Sequence, residues 1–280
     1  MRPSPSDPDY VKVKRAKTGA CNICLSSGEL TWDHVPPQGG MDISPLDQYT
    51  ILERLAGRSE SPNRLSTQNG VKYRTICKKC NGDLLGREYD PVLNDFAVGI
   101  GQFLKTSIWL PPRLCYPTRP ARLLRSLFGH LLAAKSEVEN TKEDEAMRHY
   151  VQDHQATLPS NLNVFFWVYP YSQVVVIRDV AMLAERGNFR GSLGVFSILK
   201  YFPIAYIVTN LQQYEGLPSL SFHCPTDIDT DVRIRIPLRH LKPPDWPEIV
   251  DDGNIMAGGG CSAQSSVSAV PKGIKLRGQR

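Results

Sequence analysis

Apolar positions follow two regimes along the chain. From about residue 161 to 240 they come in short, dense runs of aromatic and β-branched side chains. The first is Val164-Phe165-Phe166-Trp167-Val168-Tyr169, followed by a turn-like Pro170-Tyr171-Ser172 and a returning run from Val174 to Val180. Leu193 to Lys200, Ile204 to Thr209 and Val232 to Pro237 repeat the pattern. Such runs between turn residues predict strands, and their close succession predicts a mainly antiparallel sheet. Residues 96 to about 157 instead predict helices. The clearest is Pro120 to Lys135, where Leu123, Leu124, Leu127, Phe128, Leu131 and Leu132 recur at helical spacing. Arg119, Arg122 and Arg125 read as its wet face, with phosphate contact as the sharper alternative.

The N-terminal part is less regular. Ser44 to Leu55 predicts a short helix, with Ser44 as cap, Pro45 at the first position and Leu46, Tyr49, Ile51 and Leu55 as apolar contacts. A polar loop follows, then a strand from Val71 to Ile76 and a helix opening at Cys80 to Gly86. The pattern divides the chain into a flexible basic arm (1–20), a compact module (21–95), an α+β domain of unassigned role (96–250) and a disordered Gly/Ser-rich tail (251–280).

Composition adds class and compartment. With 41% hydrophobic and 22% charged residues, the chain can build the core of a globular protein. The formal charge of +5 is compatible with a polyanionic partner without requiring one. Residues 1–20 lack the apolar core of a signal peptide, and no run approaches the ~18 apolar residues of a membrane span. No membrane association is expected, and the expected location is the cytoplasm.

Four of the seven cysteines fall in two C-x-x-C pairs, Cys21/Cys24 and Cys77/Cys80. This spacing lets both sulfurs of a pair reach one ion, and two pairs make a closed tetrahedral cage suited to structural Zn²⁺. Paired cysteines with scattered singles (Cys115, Cys224, Cys261) fit a reducing compartment better than a disulfide framework. His223-Cys224 reads as a buried strand pair, and His130, His149 and His154 call for no special role.

Between the pairs lies Asp33-His34, and Asn81 follows the second pair directly. Phosphodiester hydrolysis needs an activated water and a charge sink. Asp33 offers a carboxylate and Asn81 a carbonyl oxygen to a hard divalent ion, Mg²⁺ or Mn²⁺. On a strand His34 would point opposite to Asp33, placed to take a proton from water. Lys12, Lys14, Arg15 and Lys17 precede the first pair as a candidate nucleic-acid contact, the alternative being a solvated tail.

Cys-x-x-Cys, Asp-His-x-x-Pro and Cys-x-x-Cys-Asn together resemble the HNH endonucleases with a zinc-stapled ββα-metal, treble-clef-like core, over residues 18–90. The resemblance implies His34 as general base and Asp33 and Asn81 as ligands of the catalytic ion. It implies Cys21, Cys24, Cys77 and Cys80 as structural zinc ligands, and Asn69 as the residue that orients His34. It further implies a DNA substrate, with RNA as the other candidate, and a role such as restriction or phage defence. A noncatalytic zinc module for nucleic-acid or protein interaction is the alternative. The Asn69 to Cys77 spacing and the insertion after His34 are longer than in a minimal family member.

Overall fold

The computed structural model describes residues 10–40, 44–51, 53, 64–184, 192–239, 241–248, 256–257 and 261–272. The fold is mixed α+β, with antiparallel pairing between all the named strands. Strands β1 (Thr18–Ala20), β2 (Ser27–His34) and β5 (Lys72–Cys77) form a small sheet in the order β1-β2-β5. The large sheet runs β4 (Leu65–Thr67), β3 (Leu46–Thr50), β13 (Val267–Pro271), β8 (Val174–Ala184), β9 (Ser192–Tyr201), β10 (Ile204–Thr209), β7 (Asn163–Val168), and β12 (Met256–Ala257) also pairs with β8. A two-stranded ribbon joins β6 (Arg113–Thr118) to β11 (Val232–Pro237).

Helices lie between the small and large sheets. A π-helix (Lys79–Tyr89) continues into α1 (Asp90–Thr106), followed by α2 (Pro120–Ala133), α3 (Lys142–Gln152) and the short α4 (Cys261–Ser265). The strand periodicity explains why β7 lacks polar alternation. Val164, Phe166 and Val168 face the helices, whereas Phe165 and Trp167 face a second core closed by Leu211, Tyr214 and Trp246. Helix α2 departs from the amphipathic expectation, since every residue from Pro120 to Ala133 except Arg122 is buried. At its centre Gly129 admits the π-helix; a Cβ there would lie 2.3 Å from Leu85 Cδ2.

Four expectations change. Leu46–Thr50 is a strand, not a helix, because it pairs with β4 on one side and β13 on the other; Leu55 lies outside the described residues. The expected boundary at 95/96 falls inside α1, and β3, β4 and β13 join sequence-distant parts in one sheet. Within the tail, residues 267–270 form a buried strand between β3 and β8, whereas 251–255, 258–260 and 273–280 lie outside the described residues. Residues 10–20 are not a free arm, since Val11 and Val13 are buried and the segment bonds to Arg74 and Gln264; residues 1–9 lie outside the described part.

Because β13 is interior, Val267→Asp places an unpaired charge in the core and should cost about 3 kcal/mol or more. Chemical denaturation measures it; a change within about 0.5 kcal/mol would mean that this strand carries no structural load.

Candidate metal centre and histidine site

The first cysteine pair sits on the turn between β1 and β2, the second at the passage from β5 into the π-helix. The four Sγ atoms lie within 4.8 Å of one another, and Cys24 Sγ stands 3.8 Å from Cys77 Sγ. That is far beyond a disulfide bond. With Zn–S bonds of about 2.3 Å, the edge of a tetrahedral ZnS₄ unit is about 3.8 Å, so the cage fits such an ion. Backbone N–H groups of Ile23 and Cys77 each point at Cys21 Sγ, 3.4 Å away. The Cys21 thiol is pushed down to about 4, chiefly by the hydrogen bond from Cys80 and also by these N–H donors, against the opposing effect of burial.

The first knuckle is bolted to the helices by its main chain and by Asn22. Asn22 Nδ2 donates to the carbonyls of Leu132 and Lys135, both 2.9 Å, and so satisfies the open C-terminal end of α2. Thr75 Oγ1 of β5 donates to Ala133 O at 2.6 Å. From α3, Arg148 Nε donates to Asn22 O at 2.8 Å and Gln152 Nε2 to Ile23 O at 2.9 Å.

Strand alternation separates Asp33 from His34. Asp33, only 4% exposed, points inward, where its Oδ2 accepts from His130 Nδ1 at 2.9 Å. The other ring nitrogen, Nε2, bonds Asp90 Oδ1 at 2.9 Å, and Asp90 Oδ1 also accepts from Ser126 Oγ at 2.7 Å. Burial acts to lower the His130 pKa, but the two carboxylates outweigh it and raise the pKa to about 10, so the ring is an imidazolium at neutral pH. Burial pushes the Asp33 carboxyl up, and His130 offsets part of that rise. His130, taken from sequence as a residue without a special role, is instead the centre of a buried Asp–His–Asp triad. Its one sequence signal is a polar ring in a helix with apolar residues on every side.

His34 points the opposite way, beside its cross-strand partner Lys72. Trp32, 44% exposed, lies under Arg74 Cζ (5.3 Å) and Lys72 Nζ (5.9 Å). Burial first, then Lys72, holds the His34 pKa below its usual value. Its Nε2 is buried without a partner among the described residues. Asn69 meets His34 through its main-chain carbonyl rather than its side chain, on a turn completed by Gly70 at φ +72°. Asn81, in the first turn of the π-helix, donates from Nδ2 to Trp32 O (2.8 Å) and Thr31 Oγ1 (3.0 Å), which turns its amide toward the strand that carries Asp33 and His34.

Three members of the expected phosphate-contacting run have partners within the chain, Lys17 in a pair on the exposed surface. Lys12 pairs with Glu137 at 2.6 Å, and Lys17 with Glu29 at 3.2 Å. Arg15 donates to Ala20 O, Asn22 Oδ1 and Thr75 O; Lys14 is exposed. Arg125 is buried on carbonyls of residues 121, 153, 154 and 156, while Arg119 and Arg122 pair with Asp229. His223 is exposed on a short 3₁₀ turn rather than in a strand.

A second acidic group, Glu139, Asp144 and Asp179, also comes within metal-ligating distance. Lys135 Nζ pairs with all three carboxylates, and Arg178 adds a second cation, bonding Asp144 at 2.7 Å. The lysine ammonium supplies the positive charge that an ion would bring, so this cluster is a salt-bridge network.

Removing His130 leaves the buried Asp33 carboxylate and the partly buried Asp90 carboxylate without their shared cation. His130→Ala should therefore cost about 3–5 kcal/mol. A histidine with a raised folded pKa stabilises fully below its unfolded value of 6.5, and the contribution is lost as pH rises through about 10. The gap in melting temperature between wild type and variant should thus narrow from pH 7 to pH 10; a gap independent of pH would contradict a charged His130.

No family model matches the chain, and no curated protein or solved structure matches it with significance.

Proposed function

We propose that the chain is a metal-dependent endonuclease of the HNH type, stapled by structural Zn²⁺ on Cys21, Cys24, Cys77 and Cys80. The observation that carries this reading is one corner of the fold. The antiparallel pair β2–β5 runs straight into a helix, and both cysteine pairs lie at one end of it, one just before β2 and the other at the end of β5. There Asn81 bonds the main chain of Trp32, the residue just before Asp33-His34.

His34 is the general base. Its Nε2, buried and without a partner among the described residues, is the nitrogen left to take a proton, and burial and Lys72 favour the neutral ring. Asn69 O holds the ring in place. Trp32, Lys72 and Arg74 give this face the mixed aromatic and cationic character that suits a phosphate and its sugar. Asp33 and Asn81 are the side chains that would hold the catalytic Mg²⁺ or Mn²⁺, Asp33 through the oxygen not bonded to His130. The ion, when bound, supplies charge stabilisation at the phosphate. DNA is the proposed substrate.

A noncatalytic zinc module for nucleic-acid or protein interaction has an observation of its own in its favour. Asp33 is almost fully buried and already paired with His130, so less of it faces incoming substrate.

Plasmid nicking separates the two. With Mg²⁺ or Mn²⁺, wild type should cleave, EDTA should stop it, and His34→Ala should lose about 10²–10⁴-fold in rate with zinc content and melting temperature unchanged. A folded, zinc-loaded wild type that does not cleave would favour the noncatalytic module.

A further inference from the structure

We infer that the ribbon β6–β11, with the apolar loop that leads into it, is a docking surface for the backbone of double-stranded DNA. The pleat divides the ribbon cleanly. Tyr116, Ile234 and Ile236 face the protein. Tyr116 bonds Asp95 at 3.3 Å and packs so closely on α1 that a Cβ at Gly99 would lie 2.0 Å from its hydroxyl. Arg113, Arg233 and Arg235 are exposed on the other face, and Arg239 is exposed just beyond β11.

Arg233 and Arg235, two positions apart on one strand, have Cα atoms about 7 Å apart. Arg113 sits diagonally across from Arg235, about 7–8 Å away. Among the described residues, none of these four arginines makes an ion pair or a side-chain hydrogen bond. The acids nearest in sequence are Asp229, paired with Arg119 and Arg122, and Asp231, two residues before Arg233 and paired with Arg119; both precede β11, away from Arg113, Arg235 and Arg239.

At the basic end the ribbon is closed by Leu238 N donating to Pro112 O at 3.0 Å. Beside it Ile108 is fully exposed, Trp109 is 74% and Leu110 41% exposed. Unpaired charge of one sign attracts a polyanion, and duplex DNA carries one charge per ~1.7 Å of axis. All four cations are arginines, whose planar fork matches phosphate oxygens, and an exposed Trp with aliphatic neighbours suits contact with a base step.

The choice of DNA rests in part on the nuclease reading, and the geometry links the two places. Helix α1 starts at Asp90, which is bonded through His130 to Asp33, and ends beside the loop at Ile108. Its 17 residues span about 24 Å, so a duplex touching both ends would cover about seven base pairs.

Binding is tested without cleavage, by fluorescence anisotropy of a labelled 20-base-pair duplex in EDTA between about 50 and 200 mM salt. Arg113→Gln/Arg233→Gln/Arg235→Gln should weaken binding about tenfold or more at low salt and make the slope of log K against log salt shallower by about 3. Trp109→Ala should weaken binding several-fold with the slope unchanged. Circular dichroism melts should match wild type in both variants. Unchanged affinity and slope in the triple variant would overturn the inference, as would binding to anionic phosphatidylserine vesicles without binding to DNA. Ribbon-dependent binding by a protein that never cleaves would uphold the inference and sink the nuclease. Cleavage lost in His34→Ala, with ribbon variants binding like wild type, would do the reverse.

Discussion

Helix α2 is enclosed on nearly every side, and this burial forces a partner on each polar group that it carries. Arg125 is held by carbonyls that follow α3 and lies over the Tyr150 ring at 3.9 Å. His130 is held by Asp33 and Asp90. The carbonyls at the C-terminal end are met by Asn22, Thr75 and Arg178. Lys135, just beyond, is matched by three carboxylates. A buried, unmatched polar group costs on the order of 1–3 kcal/mol, and a charge costs more. Each element that supplies a partner is therefore fixed against this helix: the first knuckle, β2, β5, α1, α3 and the bulge of β8.

The candidate site inherits its geometry from that constraint. Once His130 draws Asp33 inward, strand alternation turns Trp32 and His34 outward, beside Lys72 and Arg74. The cysteine cage sets the other end, because it joins the β1–β2 turn to the start of the helix that carries Asn81. The same pairing that positions Asp33 also buries it, and this is the point on which the catalytic and noncatalytic readings divide.

Legibility in the sequence followed the range of the interaction. Strands β7 to β11 and helix α2 were readable, since a dense apolar run, an alternating run such as that of β11, and a helical repeat are all local signals. The cysteine pairs were readable for the same reason, because thiolate spacing is a local geometric requirement. Strand β3 was hidden by the Ser44-Pro45 start and by apolar spacing that also fits a helix; its partners, β4 and β13, decided otherwise. Strand β13 is five residues in a Gly- and Ser-rich stretch, and its partners lie far away in sequence. His130 was passed over because its two carboxylates come from positions 97 and 40 residues distant. The cationic face around His34 was missed because Lys72 and Arg74 reach it only through the register of β5.

The account depends most directly on the four cysteines closing around one metal ion, since this cage ties the first knuckle to the start of the helix whose Asn81 bonds the main chain of Trp32. Zinc K-edge X-ray absorption on the purified protein tests it. The account predicts one zinc with four sulfur neighbours at about 2.3 Å. A shell containing nitrogen or oxygen ligands, or metal-free protein with the cysteines joined as disulfides and the fold unchanged, would contradict it.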